Sequence, residues 1–367
     1  MSVDFKKDFD RVWHDALWLW ASMQFYNIDQ HLINVIQSLY KNSTSAVYHN
    51  SKIGKWFNTS VGVRQGCLLS PTLFNIFLER IMTDALEEHQ GSISIGGRNI
   101  TNLRFADDID GLAGSESELA SLVGKLERAV KAYGMEINAD KTKMMTNSPA
   151  GISGNICVDG HKLETVDQFK YLGAILTDEG SRKEVLSRVA QATASFYKMN
   201  YIWKDKSTTV KSKIRLMRTL AISIMLYACE SWTLTAELER KIKSAEMKFY
   251  RRLLNIRYQD HITNQEVIRR ITAAGPFEYM LSTVKRRKLM WFGHLSRSSG
   301  LAKTILQGTV RGGRRRGRQR KRWEDNIKEW TGLSLHEAMK KAQDRDMWKN
   351  VVDNCCVVPL RPNVATG

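Results

Sequence analysis

Cysteine is sparse in this chain and poorly placed for structural chemistry. Cys67, Cys157, Cys229, Cys355 and Cys356 are odd in number and scattered, with no C-x-x-C pair and no Cys/His ligand spacing. That argues against a disulfide framework or a zinc site and for free thiols in a reducing compartment. No run of 18 apolar residues occurs, and Met1 is followed by Asp4-Phe5-Lys6-Lys7-Asp8 rather than an apolar leader. The expectation is a soluble, intracellular, non-secreted protein with no membrane partner and no disulfide partner. No tandem repeat of fixed period is visible, which speaks against a solenoid.

Acidic residues are scarce in one half only. Residues 1–180 hold 17 Lys+Arg against 22 Asp+Glu, whereas residues 181–367 hold 39 against 16. The halves carry net charges of −5 and +23, which make up the +18 of the 367-residue chain. A pI near 9.7 favours a polyanionic partner, most simply nucleic acid. An acidic first half could hold metal while a basic second half holds a phosphate backbone. Hydrophobic content of 43% suits a globular fold of two or three domains.

Leu103-Arg104-Phe105-Ala106-Asp107-Asp108-Ile109 reads as a β-hairpin with two adjacent carboxylates at its turn. Two neighbouring Asp on a rigid turn need a partner for their charge, and a hard divalent cation with oxygen ligands is a natural one. A solvated acidic turn is the plain alternative. A two-metal phosphoryl-transfer site would also need a carboxylate from another strand, and Asp4, at the end of an opening strand, is the candidate.

Helical spacing marks Val12, Ala16, Leu19 and Met23, then Leu32, Val35, Ile36 and Leu39. Residues 45–63 suggest a hairpin around Lys52-Ile53-Gly54-Lys55. After Arg64-Gln65-Gly66, Ser70 as N-cap and Pro71 at the first helical position predict a helix to about Glu88. Ser115 and Glu118 form a capping-box pattern for a helix to about Tyr133, ended by Gly134. Short strands follow at Met135–Ile137, Thr142–Thr146, Asn155–Val158 and Phe169–Leu176, with Asp159-Gly160 a hairpin signal. Beyond Ser181 the pattern turns to amphipathic helices over 181–201, 207–228, 235–254, 263–273 and 277–297. A Gly/Arg-rich linker spans 308–322, and a last helical region covers about 323–354 with Trp323, Trp330 and Trp348.

Taken together, Asp4, Phe9, Arg64-Gln65-Gly66, Ser70-Pro71, Phe105-Ala106-Asp107-Asp108, Asn138 through Lys143 and Tyr171-Leu172-Gly173 resemble the palm of a reverse transcriptase. The order and spacing are most similar to the non-long-terminal-repeat (LINE-type) retrotransposon polyprotein, and the resemblance spans nearly the whole chain. Tyr227 through Trp232, Trp291-Phe292-Gly293-His294 and Gly317-Arg318 through Trp323 extend it.

The resemblance implies an α+β right-hand polymerase palm, an antiparallel sheet with helices on one face, over 1–178. It implies a helical thumb-like domain over 179–300, a basic linker over 301–322 and a C-terminal helical segment over 323–367. Asp4 and Asp107, supported by Asp108, would bind two Mg²⁺ ions, with Mn²⁺ as the alternative. Phe9 would be a steric gate against the ribose 2′-hydroxyl, or else a core aromatic. Arg64, Gln65 and Gly66 would line the template and incoming nucleotide. Lys141 or Lys143 would protonate the leaving pyrophosphate or clamp its charge, Lys141 being preferred. Tyr171-Leu172-Gly173 would grip the primer end, or else be an ordinary buried strand turn.

The densest positive charge, Lys285-Arg286-Arg287-Lys288 and then Arg314, Arg315, Arg316, Arg318 and Arg320, is expected to bind phosphate backbone without sequence preference. It could equally be a solvated linker or a nuclear localisation signal. Template RNA, DNA primer or target, and deoxynucleoside triphosphates are the implied partners, with a nuclear or ribonucleoprotein-associated location.

The chain departs from the family pattern in places. Asp8 stands where Ala is usual and Gly111 where a larger apolar residue is usual, and no C-terminal zinc knuckle appears. Only three residues precede Asp4, so the expectation is a fragment lacking most of the fingers and the endonuclease, with a frayed first strand. The reading is an RNA-directed DNA polymerase fragment; the alternative is a catalytically silent remnant that only binds RNA or DNA.

Overall fold

The computed structural model describes residues 1–14, 19–87, 89–146, 155–275, 277–308 and 320–356. Two compact units divide between Leu172 and Gly173, six residues before the expected boundary.

The first unit is built on a five-stranded sheet. Its order is Glu164–Thr165, Lys143–Met144, Ser2–Val3, Asp108–Gly111, Asn102–Phe105. The opening strand is therefore central. Ser2 pairs with Lys143 on one side and Asp110 on the other, and Val3 pairs with Ile109. The expected fraying does not occur, because Met1 and Gly111 exchange backbone hydrogen bonds of 2.9 and 2.8 Å. The sheet is antiparallel except where Lys143–Met144 runs parallel to Glu164–Thr165, a correction to the all-antiparallel expectation.

Side chains alternate across a strand, so Val3 and Phe5 are buried while Asp4 between them stands at the other face. The apolar face meets two helices, Ser70–Leu86 and Glu116–Ala132. Leu73, Phe74, Phe77, Leu78 and Ile81 keep helical spacing and are all buried, as are Leu119, Leu122, Val123, Leu126 and Val130. Each such fully buried side chain contributes ~1.5–3 kcal/mol. Ser115 caps the second helix through the Glu118 amide at 3.2 Å, as its sequence suggests. The Glu118 carboxylate, however, accepts from Ser92 and Gly114 amides rather than closing a capping box. Ser70 likewise is no cap. Its hydroxyl donates to the Arg64 carbonyl at 2.6 Å and so fixes the preceding loop.

Residues 44–58 form nested two-residue strands, with Asn50 and Ser51 both at positive φ in the turn. A 3-10 turn occupies Asp8–Arg11, and among the described residues the first predicted helix is Leu19–Phe25; residues 15–18 lie outside them.

The second unit is helical. Arg182–Lys198, Ala236–Leu253 and Met280–Arg297 are its longest helices. Phe196 is stacked against Trp203 at 4.7 Å and Phe249 at 4.6 Å in its core. The helix expected over 207–228 is interrupted by a π-helical turn at Arg218–Ile222. The C-terminal region, expected as a helical segment, clusters with the second unit. It forms three helices, Trp323–Thr331, Leu335–Ala342 and Arg345–Cys356, that pack on Met280–Arg297. Trp348 donates to the Leu289 carbonyl at 2.8 Å. A Cβ at Gly293 would lie 2.4 Å from the Trp348 ring, so only glycine admits the indole there.

Candidate active site

The sheet sets an acidic cluster at the open end of its central strands. Asp4 follows Val3, and its amide donates to the Thr142 hydroxyl at 3.2 Å while its carbonyl accepts from Asn138 at 2.7 Å. The neighbouring hairpin turns at Ala106-Asp107, closing the pair Phe105 with Asp108. Ala106 takes a positive φ of 52°, sparsely populated for a residue with a Cβ. The backbone thus holds Asp107 at the turn and Asp108 at the first strand position. Asp8 joins them, because the left-handed Lys7 and the 3-10 turn fold the chain back.

The electrostatics show how close these groups stand. Burial, a hydrogen bond with Asp107, and the charges of Asp107 and Asp4 push the Asp8 carboxyl up to about 6. Asp108 is also raised, first by burial and then by Asp107 and Asp4. Asp4 has a side chain 41% exposed, yet its Oδ2 is enclosed and accepts no hydrogen bond; the Lys141 ammonium lies 3.7 Å away. Like charges gathered with an orphaned oxygen favour a cation. Among the described residues no three His, Cys, Asp or Glu already stand as a finished metal cage. Mg²⁺ seldom uses one; it takes one or two carboxylates, water and substrate phosphates. The donor set fits an ion that arrives with a phosphate ligand.

The two candidate lysines part company. Lys141 faces Asp4, whereas Lys143 is held 2.5 Å from Glu164 on the adjoining strand.

Phe9 is half-buried and stacked on Phe74 at 4.6 Å, so its ring is fixed by the core. The Arg64-Gln65-Gly66 loop stands beside it, since Val63 donates to the Phe9 carbonyl and Gly62 to that of Val12, both at 2.7 Å. Gln65 reaches Asp10 at 3.3 Å, and Arg64 donates to the Leu39 carbonyl at 2.9 Å. Gly66 has φ 82° with open space around it, so the backbone twist requires the glycine rather than a tight protein contact. Tyr171 is near the acidic strand; burial and the charges of Asp110 and Asp108 raise its hydroxyl. Leu172 and Gly173 then take φ values of 47° and 76°, a tight turn.

Within the basic quartet, Lys288 requires correction. Lys288 is fully buried, donates to the Trp232 carbonyl at 2.7 Å and Asn326 Oδ1 at 3.0 Å, and lies over the Trp323 ring at 4.5 Å. Burial pushes its ammonium down to about 7. Arg286 is bound by Glu278 and Asp353, Arg287 donates to the Leu226 carbonyl, and Lys285 lies over Trp330. Arg286 and Lys288 tie helices together, and Lys288 cannot reach a phosphate. Of the motifs Tyr227–Trp232, Trp291–His294 and Gly317–Trp323, Trp323 donates to the Glu230 carbonyl at 2.8 Å and its ring lies 6.4 Å from that of Phe292; Gly317, Arg318 and Gln319 lie outside the described residues. Arg320 is exposed and donates to the Asp178 carbonyl. Arg314, Arg315, Arg316 and Arg318 lie outside the described residues.

Sequence reasoning overlooked Glu184 and Arg188. Glu184 accepts from the Ile175 amide at 2.8 Å and from Arg188, and Arg188 donates to the Gly173 carbonyl, so the pair braces the start of the second unit. The available signal was an opposite-charge pair four apart on the apolar face of Val185 and Ala192.

Comparison with known proteins points the same way. The family described as reverse transcriptase (RNA-dependent DNA polymerase) matches residues 1–176. A transposon-derived protein of Caenorhabditis elegans, itself uncharacterized, is 28% identical over 273 residues, 70% of this chain and 97% of that protein. The retrovirus-related Pol polyprotein from the type-1 retrotransposable element R2 of Nasonia vitripennis is 30% identical over 189 residues, 48% of this chain and 18% of its own length. The RNA-directed DNA polymerase from mobile element jockey of Drosophila melanogaster is 23% identical over 261 residues, 68% of this chain and 28% of its own. The chain thus spans nearly all of the first relative but less than a third of the other two.

Proposed function

We propose that residues 1–176, which match the reverse transcriptase family, are a reverse transcriptase domain of the non-long-terminal-repeat retrotransposon type, and that the chain carries out RNA-directed DNA synthesis. In this reading the sheet with its two helices is the polymerase palm, and the helices from Arg182 onward act as the thumb. The substrates are an RNA template, a DNA primer or target end, and deoxynucleoside triphosphates. A nuclear, ribonucleoprotein-associated location follows from copying at a DNA target.

Asp4 and Asp107, with Asp108 beside them, would hold two Mg²⁺ ions, or Mn²⁺, which when bound supply activation of the primer 3′-hydroxyl and charge neutralisation on the triphosphate. Thr142 and Asn138 hold the backbone of Asp4 in register with the hairpin. Lys141, already attracted to Asp4, sits where it can clamp phosphate charge or deliver a proton to the departing pyrophosphate. The Phe9 ring, braced by Phe74, presents a rigid edge to the sugar and leaves no slack for a 2′-hydroxyl. Arg64, Gln65 and Gly66 border the same space, and Tyr171-Leu172-Gly173 orients the primer end. Such positioning carries much of phosphoryl transfer, because misplacement by about 1 Å costs ~100-fold.

The observation that carries the reading is the pairing of Val3 with Ile109, which seats Asp4 beside the Asp107-Asp108 turn. Primer extension on a primed RNA template with Mg²⁺ tests it. Extension should occur and should fall at least ~100-fold in Asp107→Asn. Template binding with no extension by the unaltered chain would instead support a silent binding module.

A further inference from the structure

The second unit contains a large pocket that the polymerase reading leaves unused. Its volume is about 1040 Å³, just above the ~300–1,000 Å³ usual for ligand sites. Tyr197, at the end of the Arg182–Lys198 helix, forms one wall and is 40% exposed. Its ring stands edge-on to Phe196 at 6.0 Å, and Phe196 is itself stacked on Trp203 and Phe249. The exposed ring is thus backed by a buried aromatic pillar and cannot swing inward.

Cations surround it. Lys248 Nζ lies 5.3 Å from the Tyr197 ring centroid and the Arg252 guanidinium 5.9 Å. Arg251, Lys243 and Lys285 also line the pocket. None of these five forms an ion pair among the described residues. The arginines are held by neutral acceptors instead: Arg252 by Asn200 Oδ1 at 2.9 Å, Arg251 by the Ile262 carbonyl at 2.7 Å and Asn264 Oδ1 at 2.8 Å. Their geometry is set while their charge stays uncompensated. The one carboxyl in the lining, Glu246, is 2% exposed and accepts from the Tyr250 hydroxyl and the Met280 amide, both at 2.8 Å. Burial pushes it up to about 7, so it adds little opposing charge below that pH.

A fixed aromatic face flanked by pre-set, unneutralised cations suits a flat ring joined to a phosphate. A base within a duplex keeps both faces covered by its neighbours, whereas an unpaired base offers one. We propose that this pocket binds an unpaired nucleotide of single-stranded nucleic acid, its base on Tyr197 and its phosphates on Lys248, Arg251 and Arg252. The site belongs to the helical unit alone and does not depend on polymerisation. It would retain a strand while the acidic cluster acts elsewhere on the same or another molecule.

The test is fluorescence anisotropy on the full chain, using labelled 12-nucleotide single strands of RNA and of DNA and a duplex of equal length. Tyr197→Ala should weaken single-strand binding by about 5- to 100-fold, the worth of one stacked base, and leave duplex binding within about twofold. Tyr197→Phe should retain the affinity, and Lys248→Gln should weaken it and flatten its salt dependence. The RNA and DNA arms show which strand is preferred. Circular dichroism and thermal unfolding of each variant exclude misfolding. Unchanged single-strand affinity in Tyr197→Ala, or equal losses for single strand and duplex, would overturn the proposal and leave a plain polyanion-binding surface.

Discussion

Arg188 donates to the carbonyl of Gly173 while its Nε lies 2.5 Å from Glu184 Oε1. The other Glu184 oxygen takes the Ile175 amide, and the Tyr227 ring covers the guanidinium at 4.4 Å. A buried ion pair therefore holds the backbone that leaves the Tyr171-Leu172 turn. Removing one partner of such a pair strands the other charge without water. Arg188→Ala should lower the unfolding free energy by ~3–5 kcal/mol. Arg188→Lys should recover only part of it, since a point charge cannot span carbonyl and carboxylate as a planar fork does. Urea denaturation gives both values. A loss below about 1 kcal/mol for the alanine variant would mean that the pair is incidental.

Lys288 separates a packing role from a phosphate-binding one. Lys288→Met retains most of the stem but leaves the Trp232 carbonyl without its donor and removes one of the two donors to Asn326 Oδ1, which keeps the Leu234 amide at 2.7 Å. The expected cost is about 1–3 kcal/mol of stability. The dependence of nucleic-acid affinity on salt should stay as it was, because the ammonium touches no solvent. A slope reduced by about one in a folded variant would show that Lys288 meets phosphate after all.

Glu246 should make the chain less stable as pH rises. Its carboxyl is raised from 4.5 to about 7 chiefly by burial, against lowering by the Met280 amide, the Tyr250 hydroxyl, Arg218 and Lys243. Tyr250 and Tyr279 are the titratable groups whose raised values involve it. Below pH 4.5 the group is protonated folded and unfolded, and its contribution does not change. Between 4.5 and about 7 the unfolded chain releases the proton while the folded chain keeps it, so stability drops, by on the order of 3 kcal/mol. Above that window the effect levels off. Glu246→Gln should remove this decline from a series of melts at pH 4.5 to 8. An identical pH profile in the two proteins would place the transition on other groups.

Local chemistry was legible in the sequence. The Asp159-Gly160 turn, at φ 50° and 75°, and the Ser115 cap rest on neighbours a few residues away. Helical period marked the long helices of the second unit for the same reason. The adjacency of Asp107 and Asp108 is written in the chain, and their likeness to a known family named the chemistry. Tertiary structure decided which groups share that chemistry. Asp8 meets Asp107 only because a left-handed Lys7 and a 3-10 turn bend the chain, and Lys141 rather than Lys143 meets Asp4 because Glu164 on the next strand takes the other.

The Lys285–Lys288 run shows the limit most clearly. Four consecutive residues on an α-helix point about 100° apart and cover its whole circumference, so on a packed helix at least one must face inward. Net charge along a sequence carries no record of that direction. Only the folding of Trp323, Trp232 and Asn326 around Lys288 made it a structural cation, and only the meeting of the Tyr197 and Lys248 helices made a basic pocket elsewhere.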